Sequence, residues 1–179
     1  MNLEDGEFSV HECAAVLKSF LSELSEPMLM DAYYLAHCQV TQLVKGTMSL
    51  KETSVAIEKK ITCLQLLFLL IPAPNFNLLK DLLVFLQAVS KQECTNLMSS
   101  HNLGMMFAPL ILCPRKLSAE SLQSNHQLLT KAVAFMIDKA EELFRLPSQL
   151  VSLLIIKSME YLLYTLTSFV VYFFSGQRY

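Results

Sequence analysis

V-L-K-S-F-L-S-E-L-S-E-P-M, residues Val16 to Met28, reads as the end of an amphipathic helix. Ala14, Leu17, Leu21 and Leu24 recur at spacings of three and four, so they stack on one face, and Phe20 widens it. Pro27 lacks an amide hydrogen and disfavours helix at Glu26, so the helix is expected to stop near Ser25. Lys18 falls at the edge of the apolar face, where a long cation can pack its stem and still reach outward.

Working outward, Ser9 followed by Glu12 is a capping box, which starts this helix near Val10. Phe8 and Cys13 occupy the hydrophobic-staple positions, and His11 is expected to be exposed. A second helix is expected from Asp31, as its cap, to about Lys45, with Tyr34, Leu35, Cys38 and Leu43 facing inward and Gly46 as its stop. Ser49 and Glu52 form a second capping box and open a third helix, with Ile57, Ile61, Leu64 and Phe68 along one side. Leu66 to Ile71 is apolar all round, which implies a helix end buried between neighbours.

Asn75 can cap a fourth helix whose stripe is Leu79, Leu82, Leu83, Leu86 and Val89. A fifth segment spans Thr95 to Leu112, with Pro109 expected to kink or end it. A sixth helix is expected from Ala119 to Phe144, with Leu128, Leu129, Ala132, Phe135, Met136 and Leu143 inward. The fold class is therefore all-α. Few Gly and Pro residues and the absence of β-alternating runs agree with it.

Composition narrows function. With 179 residues there is room for one domain with a real core. A net charge of −2 and no basic block argue against nucleic acid as a partner. Five scattered cysteines and no C-x-x-C pair or His cluster offer no metal-ligand set; the cysteines are expected to be buried free thiols in a reducing compartment. The acidic start M-N-L-E-D-G-E-F lacks the form of a signal peptide, so a cytoplasmic location is expected.

Residue identity adds a resemblance carried by three blocks in order. L-K-S-F-L-S-E-L-S-E-P at Leu17–Pro27 resembles the L-K-x-F-L signature of the Rho GTPase-activating protein (RhoGAP) domain. L-I-P-A-P-N-F-N-L-L-K-D-L-L-V-F-L at Leu70–Leu86 is similar to the family's L-P-x-x-N-x-x-L-L-x-x-L-x-x-F-L, with Ile71 intervening. N-L-M-S-S-H-N-L-G-M-M-F-A-P-L-I-L at Asn96–Leu112 resembles its N-K-M-x-x-x-N-L-A-x-x-F-G-P-N-L-L.

The resemblance implies a helical bundle that docks on a GTP-bound Rho-family GTPase and raises that partner's hydrolysis rate. Such a domain is an activator, not itself a GTP-hydrolysing enzyme, and it implies no cofactor. The family's arginine sits in a G-x-x-R-x-S-G loop before the L-K-x-F-L helix. No arginine precedes Lys18 here, and the first one is Arg115. The expectation is a RhoGAP-like bundle truncated at its amino terminus and impaired in stimulating hydrolysis.

The positions expected to face the GTPase are Lys18, Ser22, Asn102 and Leu110. Of these, Lys18 alone carries over as a polar contact. Ser22 stands where the family has a basic residue, and Leu110 where its G-P-N motif has asparagine. Leu97 stands in place of the family's lysine, and Asn102 is read first as tying a turn. Glu23 and Glu26 are read as local electrostatics at the helix end.

The expected division is a partial RhoGAP domain over 1–146 and an apolar tail helix over 147–179. Residues 150–174 are long enough to cross a bilayer. Lys157 and Glu160 would each cost about 2.5–3.5 kcal/mol near its centre. A membrane anchor, a buried last helix and an aberrant tail all stay open. The competing function is a non-catalytic helical interaction protein or membrane-tethered scaffold.

Overall fold

The computed structural model describes residues 9–44 and 49–145, and all regular structure among them is helical. The elements are α1 (Val10–Glu23), a 3-10 turn (Asp31–Tyr33), α2 (Tyr34–Thr41), α3 (Leu50–Phe68), α4 (Ala73–Ser90), α5 (Glu93–Asn96), α6 (Ser100–Ile111), α7 (Ala119–Asp138) and α8 (Ala140–Leu143). Phe8, Gly46 and the tail from 146 onward lie outside the described residues. So do the staple, the second helix's glycine stop and the tail helix or anchor expected there. Among the described residues, no helix is long and apolar enough to cross a membrane.

Both capping boxes form. The Ser9 amide donates to the Glu12 carboxylate at 2.7 Å, and the Ser49 amide to Glu52 at 2.8 Å. These hydrogen bonds hold both carboxyls below the usual range. Such boxes satisfy amides that have no intrahelical acceptor, which is why both starts are readable from Ser-x-x-Glu alone.

The three family-like blocks share one core. Leu21 of α1, Leu79, Leu82, Leu83 and Leu86 of α4, and Leu103, Phe107, Ala108 and Ile111 of α6 belong to a single buried cluster with Leu129, Val133 and Met136 of α7. Helix α6 lies closest to α7, and Gly104 permits it. A Cβ there would stand 2.8 Å from the Thr130 carbonyl oxygen and 2.9 Å from the Ala134 amide nitrogen. Backbone cannot rotate away as a side chain can. Gly104→Ala is therefore expected to destabilise by up to about 2 kcal/mol, overpacking of about 1–3 set against a helix-propensity gain of about 1. Urea unfolding checks it; an unchanged midpoint would show that the helices separate at no cost.

Several expectations are corrected. The helix α1 ends at Glu23, not Ser25, and Ala14 and Phe20 stay exposed, so its buried stripe narrows to Leu21 flanked by half-buried Leu17 and Leu24. Asp31 caps no helix. Met30 takes a positive φ of 62°, the Asp31 amide donates to the Glu26 carboxylate at 3.4 Å, and α2 begins only at Tyr34. On that shorter helix Tyr34, His37 and Thr41 are buried, while Leu35 is 71% exposed and Leu43 is exposed. A late start and a face at spacings of three and four replace the wider apolar face that Leu35 suggested.

The end of α3 is not enclosed: Leu66, Leu69 and Leu70 are exposed, and only Phe68 and Ile71 are buried. Its inner face is Ala56, Lys60, Leu64 and Phe68, with Ile57 and Ile61 half-buried. The Lys60 Nζ lies 3.9 Å from the Phe135 ring centroid, so a lysine takes a core position over an aromatic face. Pro72, not Asn75, precedes α4, and the Asn75 amide group donates to the Met28 carbonyl at 3.5 Å.

The expected sixth helix is two. The Gln87 side chain of α4 donates to the Asp138 carbonyl at 2.9 Å, and the Glu142 amide turns to Lys139 instead, which breaks the ladder between α7 and α8. The fifth segment likewise divides into α5 and α6, and α6 continues past Pro109 to Ile111. All five cysteines are free, but Cys113 alone is buried; Cys13 and Cys94 are exposed.

Candidate functional site

Lys18 lies on the exposed side of α1, with no ion pair to a described residue. Ser22 follows one turn later, also exposed, its hydroxyl donating to the Ser19 carbonyl at 2.8 Å. Spacing of four puts both on one side of the helix. That helix lies against α6.

The junction between the two helices is made by Arg115, to which the sequence assigned no structural role. Its Nη2 donates to the carbonyls of Leu21 at 2.6 Å and Leu110 at 3.2 Å. Its Nη1 donates to the Pro109 carbonyl at 3.3 Å, and its Nε to that of Leu24 at 3.3 Å. The last carbonyls of a helix have no intrahelical donor and carry its partial negative charge. Here one guanidinium serves the ends of two helices. The signal for it was a basic residue just past an apolar helix end, after Pro114. The Leu29 amide adds a further tie, donating to the Ile111 carbonyl at 3.0 Å.

The structure thus joins the Leu21 end of α1 to half-buried Leu110 of α6, with Lys18 and Ser22 on the exposed side of α1. Asn102 is elsewhere. It lies eight residues earlier on α6, about 12 Å along the axis. Its side-chain amide donates to the Leu97 carbonyl at 3.1 Å. Leu97 has a φ of 58°, a left-handed conformation unfavourable for a residue with a Cβ. Asn96 braces the same turn: its side chain donates to the Val89 carbonyl and accepts from the Met98 amide, both at 2.8 Å. Asn102 therefore ties a turn, as expected. Glu26 serves the Asp31 amide, a local role at the end of α1.

Comparison with known proteins places this arrangement. The RhoGAP domain family model matches residues 1–116. Rho GTPase-activating protein 19 of Gallus gallus is 43% identical over 152 residues, covering 83% of this chain and 30% of the relative. The Homo sapiens protein of the same name is 40% identical over 149 residues, with the same shares. The chain thus spans about a third of the length of these curated relatives.

Among solved structures, the BH domain from GRAF, the GTPase regulator associated with focal adhesion kinase, matches with a TM-score of 0.66 at 22% identity, over 83% of this chain and 75% of that one. Human Rho GTPase activating protein 15 matches with a TM-score of 0.68 at 20% identity, over 81% and 64%. At these identities the structures speak for the helical fold. The sequence matches carry the rest: the three blocks, packed into one core, belong to a chain of the RhoGAP domain family.

Proposed function

We propose that this chain is a RhoGAP-type regulator that docks on a Rho-family GTPase in its GTP-bound state through the surface around Lys18, with Ser22 and Leu110 beside it and Asn102 holding a turn at the far end of α6, and that residues 1–179 stimulate hydrolysis little. The observation that carries the reading is Lys18: an exposed cation with no ion pair among the described residues, on the helix that holds the family's L-K-x-F-L block and is locked at its end to the third block. An unpaired surface lysine beside apolar groups is suited to meet a carboxylate on a partner. Arg115 supports the second half, since its donors already serve four carbonyls. The regulatory unit ends near residue 146, and its place is the cytoplasm.

The test is affinity for one Rho-family GTPase loaded with a GTP analogue or with GDP. The GTP-analogue form is expected to bind at least tenfold more tightly. Lys18→Ala is expected to weaken that binding about tenfold, or about 1.4 kcal/mol. Equal and negligible binding to both nucleotide states would instead favour a helical scaffold without GTPase contact.

A further inference from the structure

We infer that Arg115 is a positioning residue for GTPase docking: one guanidinium fastens the end of α1 to the end of α6 and so sets where Lys18 and Ser22 stand relative to Leu110. The inference rests on the docking reading above. Its ground is how lightly α1 is otherwise seated. Val10 is 83% exposed, Val16 69% and Phe20 49%, and Leu21 alone among its residues is fully buried. Half-buried Leu17 and Leu24 and the Leu29 amide on the Ile111 carbonyl add to that one buried side chain, and a helix so lightly seated can still roll or lift unless its last turn is fixed. The carbonyls that Arg115 engages are the right ones for that. Leu21 lies in the last turn of α1, between Lys18 and Ser22, and Leu24 is its capping residue. Pro109 and Leu110 lie in the last turn of α6.

The chemistry requires arginine. Its planar fork carries donors on three nitrogens, so separated carbonyls can be reached at once. A lysine has one nitrogen at the tip of a flexible stem and can serve part of such a set. The guanidinium also meets the negative ends of two helix dipoles, which a neutral side chain cannot do.

The experiment measures affinity for a GTP-analogue-loaded Rho-family GTPase in Arg115→Met and Arg115→Lys, each with and without Lys18→Ala, well below the unfolding temperature. Arg115→Met is expected to bind at least tenfold more weakly, and Arg115→Lys to fall in between. In the Arg115→Met background, Lys18→Ala is expected to add less than a twofold loss, because Lys18 no longer stands where it meets the partner. A residue that only raised global stability would leave the folded variant's affinity intact and the Lys18 penalty at its full value; either result overturns the inference.

Should Arg115→Met not fold, Arg115→Lys carries the same comparison. Should neither fold, hydrogen exchange in the wild-type complex decides. Joint protection of 18–24 and 106–111 supports one fastened body, and protection of 18–24 alone overturns it. Wild-type chain that fails to bind sinks the docking reading and this inference with it, whereas tight wild-type binding with indifferent Arg115 variants sinks this inference alone.

Discussion

Single-turnover GTP hydrolysis by a Rho-family GTPase stays within about tenfold of its intrinsic rate when residues 1–179 are added in excess. That is the result expected of a docking surface without an inserted cation. In the Ras case an arginine supplied in trans accounts for much of a gain of about 10⁵-fold, because it neutralises charge developing on the transferring phosphoryl group. No arginine precedes Lys18 in this chain. Arg115 is held by the carbonyls of Leu21, Leu24, Pro109 and Leu110 at 2.6–3.3 Å, and withdrawing it would strip two helix ends of their donor. Lys18 is a cation at the surface, but a lysine is a point charge and does not reproduce a fork that meets two oxygens at once. Acceleration by several orders of magnitude would show that one of these side chains reaches the phosphates after all. A longer chain carrying G-x-x-R-x-S-G before this helix is expected to accelerate fully, which separates a failure of docking from a failure of chemistry.

Much of the surface was legible because it depends on local chemistry. Lys18 is exposed for the reason its position announced: it flanks an apolar stripe on a capped helix whose start is written in Ser9 and Glu12. Asn102 could be read as a turn-tying residue because asparagine side chains satisfy nearby carbonyls, and Leu97 offers one. Arg115 was passed over because its partners are backbone carbonyls 5, 6, 91 and 94 residues away. Backbone acceptors leave no trace in residue identity, so no spacing rule pairs Arg115 with Leu21.

The fold divides along the same line. The stripe Leu79, Leu82, Leu83 and Leu86 was readable because all four are buried along one face of a single helix, and helical period then suffices. The break between α7 and α8 was not, since it depends on the Gln87 amide arriving from another helix at Asp138. Nor was the exposed end of α3: an all-apolar run states what could be buried, while the number of neighbours decides what is. Lys60 and His37 show the converse, polar side chains in core positions that hydrophobic pattern would assign to the surface.

His37 is expected to make this protein acid-sensitive, with the loss setting in below about pH 6.5. The side chain is fully buried on α2, its ring centroid 6.4 Å from that of Phe68. Neither ring nitrogen has a hydrogen-bond partner among the described residues. Burial alone pushes its pKa down from 6.5 to about 4. The unfolded chain therefore binds a proton between pH 6.5 and 4 that the folded chain refuses. Where the unfolded state binds more protons, stability rises with pH, so the full contribution is present above 6.5 and is lost as pH falls through the folded value. The shift corresponds to roughly 3 kcal/mol in total, of which about 2 falls between pH 7 and pH 5.

Lys60 does not confuse the measurement. Burial lowers its pKa to about 8, so its own titration raises stability between about pH 8 and 10.5 and is silent below 7. The carboxyls of Glu12 and Glu52, held low by their capping boxes, act only below the ordinary carboxylate range. Urea unfolding at pH 7 and pH 5 is then a clean comparison, a loss of about 2 kcal/mol moving the midpoint by about 1 M. His37→Leu removes the proton site and two orphaned ring nitrogens together, and is expected to be at least as stable at pH 7 and nearly level to pH 5. If wild type and His37→Leu lose stability in parallel, the acid sensitivity lies in other groups, and the buried imidazole has found a partner that the folded geometry does not provide.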